Sequence, residues 1–203
     1  MSDQRSNAAA DGDSPIAAST RPLRADAQRN RDRILKTAEL VFATEGTEVH
    51  VEAIAERAGV GVGTLYRHFP TKQKLVEAIM VDRFVALLVE ARRLAEDADD
   101  PGGAFFGFLD HFMEEAVAKR DLLAMMGQGA GYEEAAAAKE ELGDAVGVLL
   151  GRAQSVGAVR PEVSAITVLW LIGAACQAAA HANAAPRDLF AIICDGLRPP
   201  SPG

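Results

Sequence analysis

VEAIAERAGVGVGTLYRHFPTKQK, residues 51–74, is the stretch whose reading decides the fold. Ile54, Ala55 and Ala58 recur at helical spacing, so residues 51–58 read as a short amphipathic helix. Gly59 follows at once and supplies the positive φ that ends one helix and turns the chain into another. Val60 plugs that turn against the core. Residues 64–69 read as a second short helix, with Leu65 and Phe69 inward and the polar tips of Tyr66, Arg67 and His68 outward. Pro70 stops it, because its ring clashes with the preceding turn and it has no N–H to give. Thr71 then caps a third helix that opens with Lys72 and Lys74. Two short helices set steeply around a glycine turn make a helix-turn-helix. The free face of the second has the residue types that enter a major groove and grip flanking phosphates.

Spacing alone leaves a plainer reading open: a helical hairpin whose Arg67, Lys72 and Lys74 are a solvated face. The residues go further. AGVGVGTLYRHFPTKQKL (58–75) closely resembles the core of the TetR (tetracycline-repressor-like) family of bacterial regulators. The shared pattern is Ala-Gly-Val, a variable pair, Gly-Thr-Leu-Tyr, a variable residue, His-Phe, then Lys and Leu. Upstream, RILKTAELVFATEG (33–46) resembles the first helix of that family, with Ile34, Ala38, Phe42 and Gly46 in place. The ending RDLFAIICDGLRP resembles the last helix of some actinobacterial members.

The resemblance implies an all-α fold with a three-helix helix-turn-helix head and a helical effector-binding and dimerisation body. It implies a homodimer on a palindromic double-stranded DNA operator. It also suggests a repressor released by a small-molecule effector. The corresponding divisions are an N-terminal arm without stable structure (1–24), a DNA-binding head (25–74) and the body (75–203). Within the head, Arg29 and Arg33 are candidates for phosphate contact from the start of the first helix. Asp26 is a plausible cap for that helix, which is expected over 25–45. His50 stands where the family usually has Ser, Thr or Pro; it can reach a phosphate but caps a helix less well. Gly61 replaces the common Ser at the next N-cap, at a cost of only a few tenths of a kcal/mol. Val62 and Gly63 occupy positions that face base edges in relatives. Val62 offers apolar contact, as with a thymine methyl, and Gly63 allows close backbone approach. Thr64 and Arg67 remain as polar readers, and an arginine bidentate to guanine discriminates by about 1–3 kcal/mol. Tyr66 and His68 match phosphate-binding positions. Lys72 does too, at a helix N-terminus where the dipole favours a phosphate.

Charge supports the division. The 203 residues carry a net charge of −8, but residues 21–74 are net +3, residues 75–203 net −9 and residues 1–20 net −2. A basic reading head on an acidic body favours one docking orientation on DNA. Cys176 and Cys194 stand alone in apolar contexts and suggest buried thiols rather than a disulfide framework or a zinc site. With neither a membrane-span pattern nor a signal pattern, the expected location is the cytoplasm.

The body shows no strand pattern. A long fourth helix follows from Leu75, with Ile79, Phe84, Leu87, Leu88 and Leu94 along one side, then a Pro- and Gly-containing break at 95–103. Phe105, Phe108, Leu109, Phe112 and Val117 mark a fifth helix, residues 122–126 a short sixth and residues 133–155 a long seventh, with residues 127–131 as a joint. Pro161 is expected to open the eighth. Residues 163–182 are apolar nearly all round, which calls for burial on every side, one face on the core and one on a partner. Small residues there allow close packing, and the amphipathic ending at 187–197 completes a four-helix dimer bundle. The expected interface residues are Leu169, Ile172, Ala175, Cys176, Ala179, Leu189, Ile192 and Ile193.

Candidates for an effector pocket are Phe84, Phe105, Phe108, Phe112, Met113, Met125, Met126, Tyr132 and Trp170, although aromatic and Met residues at helical spacing are more often core. So few charges suggest an apolar or aromatic ligand. His111 and His181 are possible polar handles; a metal site with Cys176 lacks helical ligand spacing. No metal and no cofactor are expected. Catalysis is not expected either: there are no paired carboxylates in an apolar segment and no nucleophile elbow, and the glycines of GVGVG (59–63) do not fit the dinucleotide pattern. Two alternatives remain, a helical protein-interaction module and a constitutive DNA-binding regulator without ligand gating.

Overall fold

The computed structural model describes residues 20–127, 131–182 and 186–200, and all nine elements among them are α-helices. The head comprises α1 (Thr20–Glu45), α2 (Val51–Arg57) and α3 (Val62–His68). Ile34, Leu35, Ala38, Val41 and Phe42 of α1 close over Val51, Ile54 and Ala55 of α2 and over Leu65 of α3. The turn between α2 and α3 is built as the glycine requires. Gly59 sits at φ +63°, its N–H bonds the Glu56 carbonyl at 3.0 Å, and the Val60 N–H bonds Ala55 at 3.0 Å. Two of the last carbonyls of α2 are thereby satisfied, and Val60 is turned toward the core. Thr71 caps α4 (Lys72–Asp97), accepting from the Lys74 N–H at 3.1 Å.

Three local expectations are corrected. First, α1 begins at Thr20 rather than at residue 25, so Asp26 lies within the helix and pairs with Arg29 instead of capping. Second, the break at 95–103 shrinks to 98–100. Asp100 accepts from the Gly103 N–H at 3.0 Å and Pro101 fits the first turn, which carries the glycines into α5 (Pro101–Ala118). Gly102 is needed there, since a Cβ would stand 2.6 Å from that of Ala158. Third, Pro161 does not open the eighth helix. The chain turns after α7 (Glu133–Ser155) at Gly157, φ +72°. Ser164 then caps α8 (Ala165–Ala182), its Oγ accepting from the Thr167 N–H at 3.3 Å. The remaining elements are α6 (Arg120–Gly127) and α9 (Pro186–Leu197). Of the arm expected at 1–24, residues 20–24 are helical instead and residues 1–19 fall outside the described residues, as does most of the 127–131 joint.

The body is organised on α4 and α7, which lie side by side and run parallel. Phe84, Leu87, Leu88 and Ala91 meet Leu142, Ala145, Val146, Leu149 and Ala153 between them. Each end is tied by a polar contact. At the start, the Glu77 carboxylate, 2% exposed, accepts the Glu134 N–H at 3.0 Å and a bond from Lys74 Nζ at 2.6 Å. At the far end, Arg152 donates to the carbonyls of Leu94 (3.4 Å), Ala95 and Ala98 (3.1 Å), caps for the last turn of α4. Burial alone pushes the Glu77 carboxyl up, but Lys74 and the amides of Glu134 and Ala135 outweigh it and hold the group below the ordinary carboxylate value.

Helix α8 is not buried on every side. Val168, Ile172, Ala175 and Cys176 face the protomer's own core, where Cys176 Sγ lies 3.3 Å from Met113 Sδ. Ile166 (65% exposed), Trp170 (72%) and, on α9, Ile192 (68%) stand in solvent. Of the expected interface residues, Ile172, Ala175 and Cys176 are therefore core, Leu169, Leu189 and Ile193 are half-buried, and Ile192 is free; the Ala179 side chain lies outside the described residues. No helix among the described residues is long and apolar enough to cross a membrane.

Candidate nucleic-acid interface and body cavity

Helix α3 is held by one large apolar anchor, Leu65, 1% exposed, and by Phe69 just beyond its end. The rest of its surface is therefore available. Val62, Gly63, Tyr66 and Arg67 are exposed, and Thr64 and His68 are half-exposed. Arg67 has no hydrogen-bond or ion-pair partner among the described residues. A Cβ built on Gly63 meets nothing within 4 Å, so the fold itself places no demand for glycine there. The Tyr66 hydroxyl donates to Glu52 Oε1 at 2.6 Å. That bond holds the Glu52 carboxyl below its ordinary pKa and pushes the phenol above its own. In the free protein, Tyr66 is thus already positioned by an acid on the neighbouring helix.

Cations flank this face. Lys72, half-exposed in the first turn of α4, sets its Nζ 6.0 Å from the Phe42 ring centroid, and the Arg31 guanidinium lies 5.8 Å from that of Phe69. Arg33 bonds Asn30 at 2.8 Å and reaches the Gly59 turn, while Arg29 pairs with Asp26. His50 is exposed at the N-cap of α2 and makes no side-chain capping bond. Arg31 and Arg33 thus reach from α1 to Phe69 at the end of α3 and to the turn before it. Arg31 is one of five arginines at 21–33, and nothing in the sequence singles it out. Its stacking on Phe69 is a tertiary contact that spacing along α1 does not reveal.

The body holds a cavity of about 110 Å³ between α4, α5, α7 and α8. Met80, Phe84, Leu87, Phe112, Leu142 and Ile172 supply its apolar walls, and Arg83, Glu115, Lys119 and Lys139 its charges. Of the aromatic and Met candidates, Phe84 and Phe112 line it. Phe105, Phe108 and Met113 are sealed in the core, Met125, Met126 and Tyr132 pack half-buried beside it, and Trp170 borders a separate open groove between α7 and α8. His111 lies on the outside of α5, its Nδ1 2.7 Å from Glu90 Oε2; the His181 side chain lies outside the described residues.

Comparison with known proteins identifies the family. Residues 34–79 match the family described as bacterial regulatory proteins, tetR family, and residues 100–199 match the C-terminal domain of SbtR-like transcriptional regulators. The solved TetR transcription regulatory protein from Mycobacterium vanbaalenii is 40% identical, covers 88% of this chain and 100% of its own, and superimposes with a TM-score of 0.66. The chain belongs to the TetR family of transcriptional regulators. A TetR regulator from Streptomyces coelicolor is 29% identical over 84% of this chain and 99% of its own, with a TM-score of 0.65. An HTH-type transcriptional regulator of Staphylococcus aureus (strain USA300) is 29% identical over 108 residues; the chain spans 58% of that relative's length.

The TetR head match runs from the buried face of α1 into the first turns of α4, so it takes in the whole α2–turn–α3 unit. The four charged residues of the cavity wall escaped the sequence reading because charged side chains read as solvated surface. A signal was nonetheless present. Arg83 is flanked by Met80, Phe84 and Leu87, and Glu115 by Phe112 and Ala116, which puts each charge on the inner stripe of its helix. Burial pushes the thiols of Cys176 and Cys194 up, so both are poor thiolates. Among the described residues, no three potential metal ligands come together.

Proposed function

We propose that this TetR-family protein is a cytoplasmic homodimeric repressor that grips a palindromic operator with its two α3 helices and releases it when a small molecule occupies the body cavity. The observation that carries the reading is the outward face of α3: Val62, Gly63 and Arg67 stand together in solvent, and Arg67 has no partner among the described residues. An unpaired guanidinium beside a bare backbone is suited to a guanine edge in the major groove. Lys72, His68 and Tyr66 then track phosphates, the last by exchanging Glu52 for a phosphate oxygen. No catalytic role is assigned. The second subunit is expected against α8 and α9, where Ile166, Trp170 and Ile192 are exposed, and its own two helices would complete the bundle. Trp170 and Ile166 replace Ile172, Ala175 and Cys176 as the anchors of that interface.

The test is fluorescence anisotropy of the full chain on the intergenic DNA beside its own gene, across a salt series, with random DNA as control. One palindromic fragment bound at least about a thousand-fold more tightly than random DNA is expected. Equal, weak and steeply salt-dependent binding to both would sink the sequence-reading role of α3.

A further inference from the structure

The depth of the body cavity is apolar and its volume, about 110 Å³, suits one six-membered ring or a short chain. Its wall is not neutral. Arg83, Lys119 and Lys139 line it against a single carboxylate, Glu115, an excess of cations that an apolar ligand does not need. Lys139 has no partner among the described residues, and it also borders the open groove between α7 and α8. Arg83 pairs with Glu115 through its terminal nitrogen, but its Nε is buried without a hydrogen-bond acceptor. That Nε lies 3.8 Å from Glu39 Oε1, within ion-pair range and too long for a hydrogen bond. Lys119 Nζ forms an ion pair with the same Glu39 oxygen at 2.6 Å. Glu39 belongs to α1, in the DNA-binding head. One head carboxylate therefore faces two cations of the cavity wall, and with Glu115 it leaves one wall cation, Lys139, in excess.

We propose that the cavity takes a small monocarboxylate, a single ring or short chain with one anionic group, and that this group replaces Glu39 on Lys119 and Arg83. The inference deepens the effector-gated reading above and rests on it. The exchange is physically balanced. The ligand's apolar part fills the cavity, its carboxylate accepts the Arg83 Nε–H that now has no acceptor, and Lys139 adds a third positive charge. The displaced Glu39 is already about a third exposed, so it regains water without a large change of fold. Because the ligand and Glu39 compete for the same cations, the ligand binds best when the head is released from the body. That difference in affinity between two arrangements is what gating requires.

The test is calorimetric titration of the full chain with benzoate and with benzyl alcohol, which pair one ring with and without the charge. Benzoate is expected to bind at least ten-fold more tightly, with the gap narrowed in Lys139→Gln. In Glu39→Gln, benzoate affinity is expected to rise several-fold while benzyl alcohol is unchanged, because only the anion competes with Glu39. Glu39→Asp keeps the charge and guards against a folding artefact, as does circular dichroism of each variant. Equal binding of the two rings, no binding of either, or an unchanged benzoate affinity in Glu39→Gln each overturns the proposal. Operator anisotropy on the same preparations separates the two readings. Operator release by a neutral compound alone leaves gating standing and removes the carboxylate; failure to bind any operator removes the regulator reading while the titration still reports on the cavity.

Discussion

Helices α3 and α8 both leave large apolar side chains in solvent, and the surroundings of those side chains differ in every other respect. Val62 of α3 stands beside a bare glycine, a threonine, and an unpaired arginine. Trp170 and Ile166 of α8 stand on a helix with no Asp, Glu, Lys or Arg along its length. A groove that offers methyls, acceptors and phosphates suits the first surface. A protein surface suits the second better, since α8 itself carries no charge and the charges nearest Ile166 and Trp170 (Lys139, Glu140 and Asp144) belong to α7 across the groove. Exposure alone does not distinguish a reading face from a docking face; the neighbouring charges do.

The contrast breaks most visibly at Trp170. Trp170→Glu places a carboxylate on each side of the proposed twofold contact, and the dimer dissociation constant is expected to rise by at least about a hundred-fold. The far-ultraviolet spectrum should be unchanged, because the indole lies outside the protomer core. Sedimentation equilibrium reads this directly, and a wild-type chain that is monomeric at micromolar concentration would refute the docking assignment. On the reading face, Arg67→Ala should cost about 1–3 kcal/mol on the cognate site, roughly ten- to hundred-fold, and relax preference at one base pair per half-site. An equal loss on random DNA would move Arg67 from bases to phosphates.

Glu77→Gln tests neither face but the tie beneath both, and should lower stability at pH 7 by about 1–2 kcal/mol in urea unfolding. Its carboxyl is held below the ordinary value, so its contribution is complete above the unfolded pKa, about 4.3, and disappears as the pH falls through the lower folded value. The difference between wild type and variant should shrink over that acid window and stay constant from pH 6 to 8. The smallest effect is expected at Glu52. Glu52→Gln leaves the Tyr66 hydroxyl a weaker, neutral acceptor and removes a negative charge beside the proposed DNA face, so binding to any duplex should tighten about two- to five-fold, most clearly at low salt. Weaker binding in that variant would mean that Glu52 holds Tyr66 in its DNA-competent position.

The head was largely legible because its decisions are local. Gly59 must take a positive φ, Thr71 must cap, and Leu65 is the only large aliphatic side chain of α3 that turns inward, whatever the body does. Where a local signal had two outlets, reading failed. Asp26 as a cap or as a partner of Arg29, and Pro161 or Ser164 as the start of α8, depend on what the chain packs against. The free side of α8 was hidden for a different reason. A helix apolar all round carries no mark of which stripe meets its own core, and contact with α5, where Met113 meets Cys176, decides it. The cavity charges were hidden because a lysine or arginine looks the same in sequence whether its stem covers an apolar wall or reaches into water.

The ties at Glu77 and Arg152 turn α4 and α7 from two rods into a panel. Rods in parallel can slide past one another; a panel pinned near both ends can only tilt as a whole. The fourth helix therefore cannot carry a signal by travelling along its own axis. Any change in the angle between head and body must be taken up at the edge of the panel, in the first turn of α4 and the contacts of α1. That edge is where the cavity wall meets the head, through Lys119 and Arg83 against Glu39 of α1. A panel pinned in this way meets the head as one stiff body, so a change at that edge would reach it as a tilt rather than as a slide.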